Sequence, residues 1–272
     1  MLDLTDNKGR KDIKSMTLEE VTEEMAALGE KSFRAKQIYD WIHVKLAGSF
    51  DQMSSLSKEL RQKLKDNYSL TCLSITDERI SRIDGTRKFL FCLEDGNIIE
   101  SVWMQYHHGN SVCISSQVGC RMGCRFCAST LDGLERNLRP SEMLDQIYRI
   151  QAHTGERVSN VVVMGSGEPF DNYDNVIRFL RLISHEKGLN ISQRNLTVST
   201  CGIVPGIRQF AEEGLAVTLA LSLHAPNDEV RRTLMPIANR YRIGDVLEAC
   251  HYYYEKTGRR LTFCLLYTSD AA

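Results

Sequence analysis

The chain has 272 residues, of which 42% are hydrophobic and 25% are charged, values typical of a soluble globular protein with a sizeable core. The 34 Lys and Arg residues nearly balance the 35 Asp and Glu residues, so the net charge is −1. This balance excludes a global basic field, and a nucleic-acid partner would have to be held by local patches.

The N-terminus and the cysteine content favour a cytoplasmic protein with no membrane association. The first residues carry charge where a signal peptide has an apolar run, and the longest apolar stretch, residues 215–223, is too short to span a bilayer. In the cytoplasm, nine cysteines are more naturally metal ligands, catalytic thiols or buried small side chains than disulfides.

Residues 16–67 are predicted to be helical. Thr17 and Glu20 form a capping-box pattern, and Ala35, Ile38 and Ile42 recur at helical spacing. A further helix is expected over residues 56–64. We therefore expect residues 1–70 to form a small helical accessory domain.

The sequence period changes to two between residues 71 and 104. Strands are predicted at residues 72–76, 88–92 and 98–104, and residues 94–97, Glu-Asp-Gly-Asn, form a strong hairpin turn between the last two. Residues 71–105 are therefore expected to form a short antiparallel linker sheet.

From Ser111 onward, predicted strands alternate with predicted helices. The strands are expected at residues 112–115, 160–164, 195–199 and 216–223, and the helices at 141–153, 173–184, 205–213, 228–234 and 244–256. Near-continuous apolar strands are typical of a parallel sheet covered on both faces. Repeated βα units of this size imply an α/β fold, either a doubly wound sheet or a (β/α) barrel.

Three cysteines, Cys120, Cys124 and Cys127, lie in a short loop directly after the first of these strands. Thiolates are soft ligands for zinc or iron-sulfur clusters, and Gly119 and Gly123 let the loop wrap around one metal centre. Both a structural zinc site and a four-iron cluster need a fourth ligand. The spacing alone leaves the two kinds of site open.

The loops after the next three strands also carry polar residues, and in a parallel barrel such loops converge at one end. The residues concerned are Gly167, Glu168, Ser199, Ser222, Leu223 and His224. Glycines let a backbone approach a ligand, and Glu168 offers an acceptor for the ammonium of a bound amino acid. A tight turn and ordinary strand-end polar residues are the structural alternative.

The Cys-x3-Cys-x2-Cys spacing, with Phe126 before the last cysteine, resembles the signature of radical S-adenosylmethionine (SAM) enzymes. The surrounding sequence, including the run from Cys113 to Cys120 and the Leu-Ser-Leu-His-Ala-Pro run, is similar to the RlmN/Cfr family of RNA adenine methyltransferases. The similarity extends from about residue 16 to residue 263. It implies a partial (β/α) radical-SAM barrel over residues 106–263, preceded by the helical domain and the linker sheet.

The resemblance also implies the cofactors and the site residues. Cys120, Cys124 and Cys127 are expected to hold a [4Fe-4S] cluster, and SAM is expected to chelate the remaining iron. An electron from the cluster then cleaves SAM to a radical. The SAM-binding positions implied are Gly167, Glu168, Ser199, Ser222, Leu223 and His224.

The implied reaction is methylation of C2 of an adenine in 23S rRNA and in tRNA. One SAM methylates a cysteine near the family's C-terminus, and a second SAM generates the radical that activates this methyl group. Cys113 is expected to resolve the enzyme–RNA adduct through a disulfide, and Glu100 to accept a proton. A monomer and an electron donor such as flavodoxin are expected.

Residues 264–272 do not resemble the family. The family's methyl-carrying cysteine and a further SAM-binding asparagine therefore have no counterpart here. Missing strands and helices would leave an open barrel edge. We expect this chain to be poorly stable and unable to turn over.

Three alternatives stay open at this point. A Cfr-type enzyme would methylate adenine C8, and a radical maturase would act on a protein or a small molecule. A non-enzymatic zinc-containing RNA-binding module would use arginines as phosphate contacts. Its candidate arginines are Arg121, Arg125, Arg231, Arg232, Arg240 and Arg242.

Overall fold

The computed structural model describes residues 4–6, 8–107 and 109–266. The helices in this part of the chain are α1 (Leu18–Ala27), α2 (Ser32–His43), α3 (Lys58–Asn67), α4 (Pro140–Thr154), α5 (Tyr173–Ile183), α6 (Val204–Ala211), α7 (Asp228–Leu234) and α8 (Ile243–Thr257). The strands are β1 (Lys11–Asp12), β2 (Tyr68–Ser69), β3 (Ser74–Ile80), β4 (Arg87–Cys92), β5 (Ile98–Met104), β6 (Asn110–Ile114), β7 (Gln117–Gly119), β8 (Leu134–Asn137), β9 (Val158–Val163), β10 (Leu196–Thr200), β11 (Thr218–Ser222) and β12 (Leu261–Cys264).

The N-terminal region is helical, as predicted. The Thr17 hydroxyl accepts a hydrogen bond from the Glu20 backbone at 3.3 Å, and the Glu20 carboxylate accepts one from the Thr17 backbone at 2.8 Å, which completes the capping box. Helices α1 to α3 bury an apolar cluster of their own that includes Ile38, Ile42 and Leu60. Strands β1 and β2 pair in parallel and join the start of this region to its end.

One large sheet carries the rest of the chain, in the order β12-β11-β10-β9-β6-β5-β4-β3. The antiparallel strands β3 to β5 are present as predicted, and residues 94–97 turn the chain between β4 and β5. Strand β5 also pairs with β6, so the antiparallel strands extend the parallel sheet. The predicted division into residues 1–70, 71–105, 106–263 and 264–272 stays a prediction.

The parallel strands settle the choice between a doubly wound sheet and a barrel. Strands β6, β9, β10, β11 and β12 follow one another in chain order across the sheet, and each pairs in parallel with the next. A doubly wound sheet would reverse its strand order at a switch point. The order is that of an open, partial (β/α) barrel.

The two faces of this sheet differ. Residues such as Val112, Ile114 and Val161 are buried in the main apolar core together with the helices. Because side chains alternate along a strand, Cys113 and Ser199 lie on the opposite, inner face. The functional residues predicted on the strands therefore lie away from the main core.

Strand β12 lies at one edge of the sheet, and Phe263 on it is 46% exposed. Residues 267–272 of the predicted non-matching tail lie outside the described residues. Within the described part of the chain, no helix is long and apolar enough to cross a membrane.

Candidate active site

A short two-stranded sheet holds the cysteine loop in place. Strand β7 leads into the loop, and β8 pairs with it on the return. The Cys120 backbone donates a hydrogen bond to the Gly133 carbonyl at 2.8 Å. Gly119 has a φ of +72°, and a Cβ at this position would lie 2.0 Å from the same carbonyl oxygen. Only glycine lets the two ends of the loop approach this closely.

Hydrogen bonds inside the loop fix the spacing of the thiols. The Thr130 hydroxyl donates to the carbonyl of Cys127 at 2.9 Å, and the Cys127 backbone donates to the carbonyl of Cys124 at 3.0 Å. Burial raises the pKa of Cys120 and raises that of Cys124 to about 11. Without a metal these groups are thiols, so metal binding would release their protons.

The second loop, residues 165–168, packs against the strand that precedes the cysteine loop. Gly167 has a φ of +106°, and a Cβ there would lie 2.6 Å from the Cβ of Gln117. The Gln117 side-chain oxygen accepts a hydrogen bond from the Glu168 backbone at 2.8 Å. Gly167 therefore lets the loop bring Glu168 to the inner face.

Glu168 is almost completely buried, and both oxygens of its carboxylate have backbone partners. One accepts from the Phe170 backbone at 3.1 Å and the other from the Cys201 backbone at 2.7 Å. Burial raises the pKa of Glu168. The side chains of Thr200 and Cys201 also contact the carboxylate, which is therefore held in one orientation.

The third and fourth loops place hydroxyl groups and a ring beside the cysteines. The hydroxyl oxygens of Ser199 and Ser222 lie 3.4 Å apart. His224 has a φ of +58°, and its ring meets the edge of Phe126 with centroids 4.8 Å apart. Burial and the charge of Arg231 lower the pKa of His224, so its ring is neutral at neutral pH.

These residues line one cavity of about 200 Å³. The predicted residues in its lining are Cys120, Cys124, Cys127, Gly167, Glu168, Ser199, Ser222 and His224. Leu223, Glu100 and Cys113 are not among the described residues that line it. Leu223 packs instead against the main core and accepts a hydrogen bond from Arg231 through its carbonyl.

Cys113 and Glu100 lie close together beside this cavity. Cys113 pairs with Val102 across β5 and β6, which makes Glu100 its diagonal neighbour on the same face. Burial, with a smaller contribution from the charge of Glu100, raises the pKa of Cys113 to about 11. The Glu100 carboxylate is partly exposed and forms an ion pair with Lys88. The described residues include all nine cysteines, and each of them is a free thiol.

The site also contains residues that the sequence did not single out as functional. Cys201 and Met235 are buried, pack against Cys124 and line the cavity. Arg231, proposed as a surface phosphate contact in the RNA-binding alternative, is completely buried, and that assignment is wrong. Cys201 lies two residues after the predicted Ser199, so its position in the sequence could have pointed to it, whereas the burial of Arg231 depends on tertiary packing.

The donor set fits an iron-sulfur cluster with SAM. Three thiols, a buried carboxylate and two hydroxyls face the same cavity. The ring nitrogen Nδ1 of His224 is buried and has no hydrogen-bond partner among the described residues. In the whole described part of the chain, no three His, Cys, Asp or Glu side chains lie close enough together to hold a single metal ion.

Comparisons with known proteins agree with this geometry. The family model described as the radical SAM superfamily matches residues 114–268, and the model described as the ribosomal RNA large subunit methyltransferase N-terminal domain matches residues 11–70. The chain is 65% identical over 252 residues to a probable dual-specificity RNA methyltransferase RlmN of Lachnoclostridium phytofermentans. The chain belongs to the RlmN family.

A second relative and a solved structure support the same family. The chain is 65% identical to a probable dual-specificity RNA methyltransferase RlmN of Lachnospira eligens, over 93% of this chain and 72% of the relative. For the Lachnoclostridium protein these shares are 93% and 71%. A radical SAM methyltransferase from Sphaerobacter thermophilus matches with a TM-score of 0.88 at 43% identity, over 93% of this chain and 75% of that one. This RlmN-family chain therefore has the radical SAM methyltransferase fold and is shorter than these relatives.

Proposed function

We propose that the chain is the main part of a radical SAM enzyme that methylates C2 of an adenine in 23S rRNA and in tRNA. The observation that carries this proposal is the convergence of Cys120, Cys124 and Cys127 with Glu168 on one cavity. The proposed roles are a [4Fe-4S] cluster on the three thiols and SAM on the loops that face them. When bound, these groups supply one-electron chemistry, which suits adenine C2 because this carbon has no acidic or nucleophilic character.

The protein's own residues would bind and orient the cofactor. Glu168 is held by two backbone amides, so its carboxylate would receive the ammonium group of SAM in a fixed orientation. The hydroxyls of Ser199 and Ser222 would contact the polar groups of the cofactor. The edge contact between Phe126 and His224 would limit water access at the mouth of the cavity.

Cys113 and Glu100 form the proposed acid–base pair. The raised pKa of Cys113 means that it is protonated at neutral pH, so attack by this sulfur requires a base. Glu100 is the carboxylate diagonally opposite, and its pairing with Lys88 keeps a cation beside it. Both residues therefore have a chemical reason to act together during release of the product.

The substrate specificity, the cytoplasmic location, the monomeric state and a flavodoxin-type electron donor are part of the same proposal. The Cfr-type alternative differs in one product, 8-methyladenosine in place of 2-methyladenosine.

The first experiment tests the cofactor chemistry of this chain. After anaerobic reconstitution, the protein is incubated with SAM and dithionite, and 5′-deoxyadenosine is measured. We expect product with the wild type and with Cys250→Ala, and none with Cys124→Ser. Cys250 is the matched control, because it is a buried thiol on α8 outside the cavity lining. Cleavage that survives in Cys124→Ser would contradict the proposal.

The second experiment tests the substrate. Residues 264–272 are replaced by the corresponding C-terminal part of the Lachnoclostridium phytofermentans relative, and the chimera is assayed with a 23S rRNA fragment and with tRNA. The proposal predicts that the chimera produces 2-methyladenosine, which nucleoside mass spectrometry would detect. Exclusive 8-methyladenosine would favour the Cfr-type reaction.

A further inference from the structure

Arg231 is a buried cation that forms no ion pair with a carboxylate in the part of the chain that the structure describes. Its side chain, on α7, is 0% exposed. Among the described residues, no Asp or Glu forms an ion pair with the fully enclosed Arg231, and the charge of Asp228 acts on it only from beyond ion-pair distance. An unpaired charge in the protein interior is strongly unfavourable, so the site calls for a compensating negative group.

The hydrogen bonds of Arg231 do not supply a full counter-charge. Its Nε donates to the Leu223 carbonyl at 3.1 Å, and one terminal nitrogen donates to the Cys201 carbonyl at 2.7 Å. The other terminal nitrogen has no partner in the described part of the chain. The nearest acid along its helix, Asp228, is half-buried, and its carboxylate accepts a hydrogen bond from the Ile243 backbone rather than from Arg231.

Arg231 lies directly behind the cysteine loop. Its carbonyl accepts a hydrogen bond from the Met235 backbone at 2.8 Å, and Met235 packs against Cys124 and Cys201. Met235 and both cysteines line the cavity. Burial lowers the pKa of Arg231, whereas negative charge on Cys201, on Asp228 or on Cys124 raises it. The guanidinium is therefore placed to interact electrostatically with negative charge that develops at the thiols.

We propose that Arg231 is a positioning residue whose buried positive charge stabilises the reduced form of the cluster on Cys120, Cys124 and Cys127. This role rests on the proposed function. Three thiolates make the bound cluster anionic, and one electron from an external reductant adds one further negative charge with no proton taken up. A fixed cation one layer of side chains behind the cluster stabilises the reduced state that carries this electron. The stabilisation is large because the protein between the guanidinium and the cluster is buried.

A purely structural role would act differently. In that case, the hydrogen bonds that Arg231 donates to the carbonyls of Leu223 and Cys201 would only hold these two loops together. Arg231→Gln keeps an amide donor and removes the charge, whereas Arg231→Lys keeps the charge and loses the fork of donors. Arg232→Gln is the matched control, because Arg232 is the adjacent arginine and is exposed.

The experiment measures cluster content and reduction potential in the wild type and in the three variants. After anaerobic reconstitution, iron and sulfide are assayed, and reduction is followed by electron paramagnetic resonance at controlled potential. In Arg231→Gln we expect the equilibrium constant for reduction to fall tenfold or more, which corresponds to about 59 mV for one electron. Arg231→Lys and Arg232→Gln should stay near the wild type.

Urea unfolding of the apoproteins covers the case in which a variant does not retain the cluster. Without a cluster, removing an unpaired buried charge should leave the apoprotein folded and no less stable. Cluster loss in Arg231→Gln with retention in Arg231→Lys, both folded as apoproteins, also supports the proposal. An unfolded Arg231→Gln apoprotein, cluster loss in both variants, or an unchanged potential in Arg231→Gln would overturn it. Absence of iron from the wild type would instead overturn the proposed function, and this role with it.

Discussion

Gly119 and Gly133 provide a matched pair for testing how the cysteine loop is held. Both have positive φ angles, +72° and +74°. A Cβ at Gly119 would lie 2.0 Å from the Gly133 carbonyl oxygen, whereas a Cβ at Gly133 meets nothing within 4 Å. The two Gly→Ala variants therefore share a conformational penalty, and only one of them has a backbone collision.

The expected magnitudes follow from this difference. An alanine in the left-handed region costs about 1–2 kcal/mol, and this applies to both variants. Gly119→Ala must also separate β7 from β8 and break the bond from Cys120 to the Gly133 carbonyl, which adds about 1 kcal/mol or more. We expect a total of at least about 2–3 kcal/mol for Gly119→Ala.

Two assays check this prediction. Urea unfolding of the apoproteins gives the stability difference, and iron analysis after anaerobic reconstitution reports the state of the loop. Gly133→Ala should keep the iron content of the wild type, and Gly119→Ala should lose most of it. Equal stability and equal iron content in the two variants would refute the role of close packing at Gly119.

Two further predictions concern stability away from the cavity. Lys14 and Asp145 form a completely buried ion pair, so Lys14→Met should lower the unfolding free energy by about 3–5 kcal/mol. The same change at Lys11, whose ion pair is exposed, should cost under about 1 kcal/mol in the same urea titration. Burial lowers the pKa of His43 from 6.5 to about 3, so its contribution to stability is present above pH 6.5 and lost as the pH falls toward 3. Between pH 7 and pH 5, the unfolding free energy should fall more steeply with decreasing pH in the wild type than in His43→Gln, by up to about 1.4 kcal/mol per pH unit. Equal slopes in the two proteins would contradict this.

Local patterns in the sequence were sufficient to predict most elements of the fold. The Thr17 capping box, the hairpin turn at residues 94–97 and the alternation of strands and helices after Ser111 all depend on neighbours in the chain. Such short-range preferences are the most reliable part of sequence-based prediction. The same repeat left a doubly wound sheet and a barrel open, and the observed order of the parallel strands decided between them.

Contacts between distant residues decided what the sequence left open. The pairing of β5 with β6 joins the antiparallel strands to the barrel sheet, and no local pattern specifies that pairing. Glu168 has backbone partners from its own loop and from Cys201, more than thirty residues away. Arginine is usually found at the protein surface. Arg231 is nevertheless buried, and its guanidinium donates to the backbone at the ends of two strands. Polar groups of this kind acquire their roles only from tertiary packing.

The most direct test of the central claim is metal analysis of the anaerobically purified chain, combined with the response of its cluster spectrum to SAM. We expect about four irons and four sulfides per chain, and a change in the electron paramagnetic resonance spectrum of the reduced protein when SAM is added. Stoichiometric zinc without iron, or a cluster whose spectrum does not respond to SAM, would contradict the account.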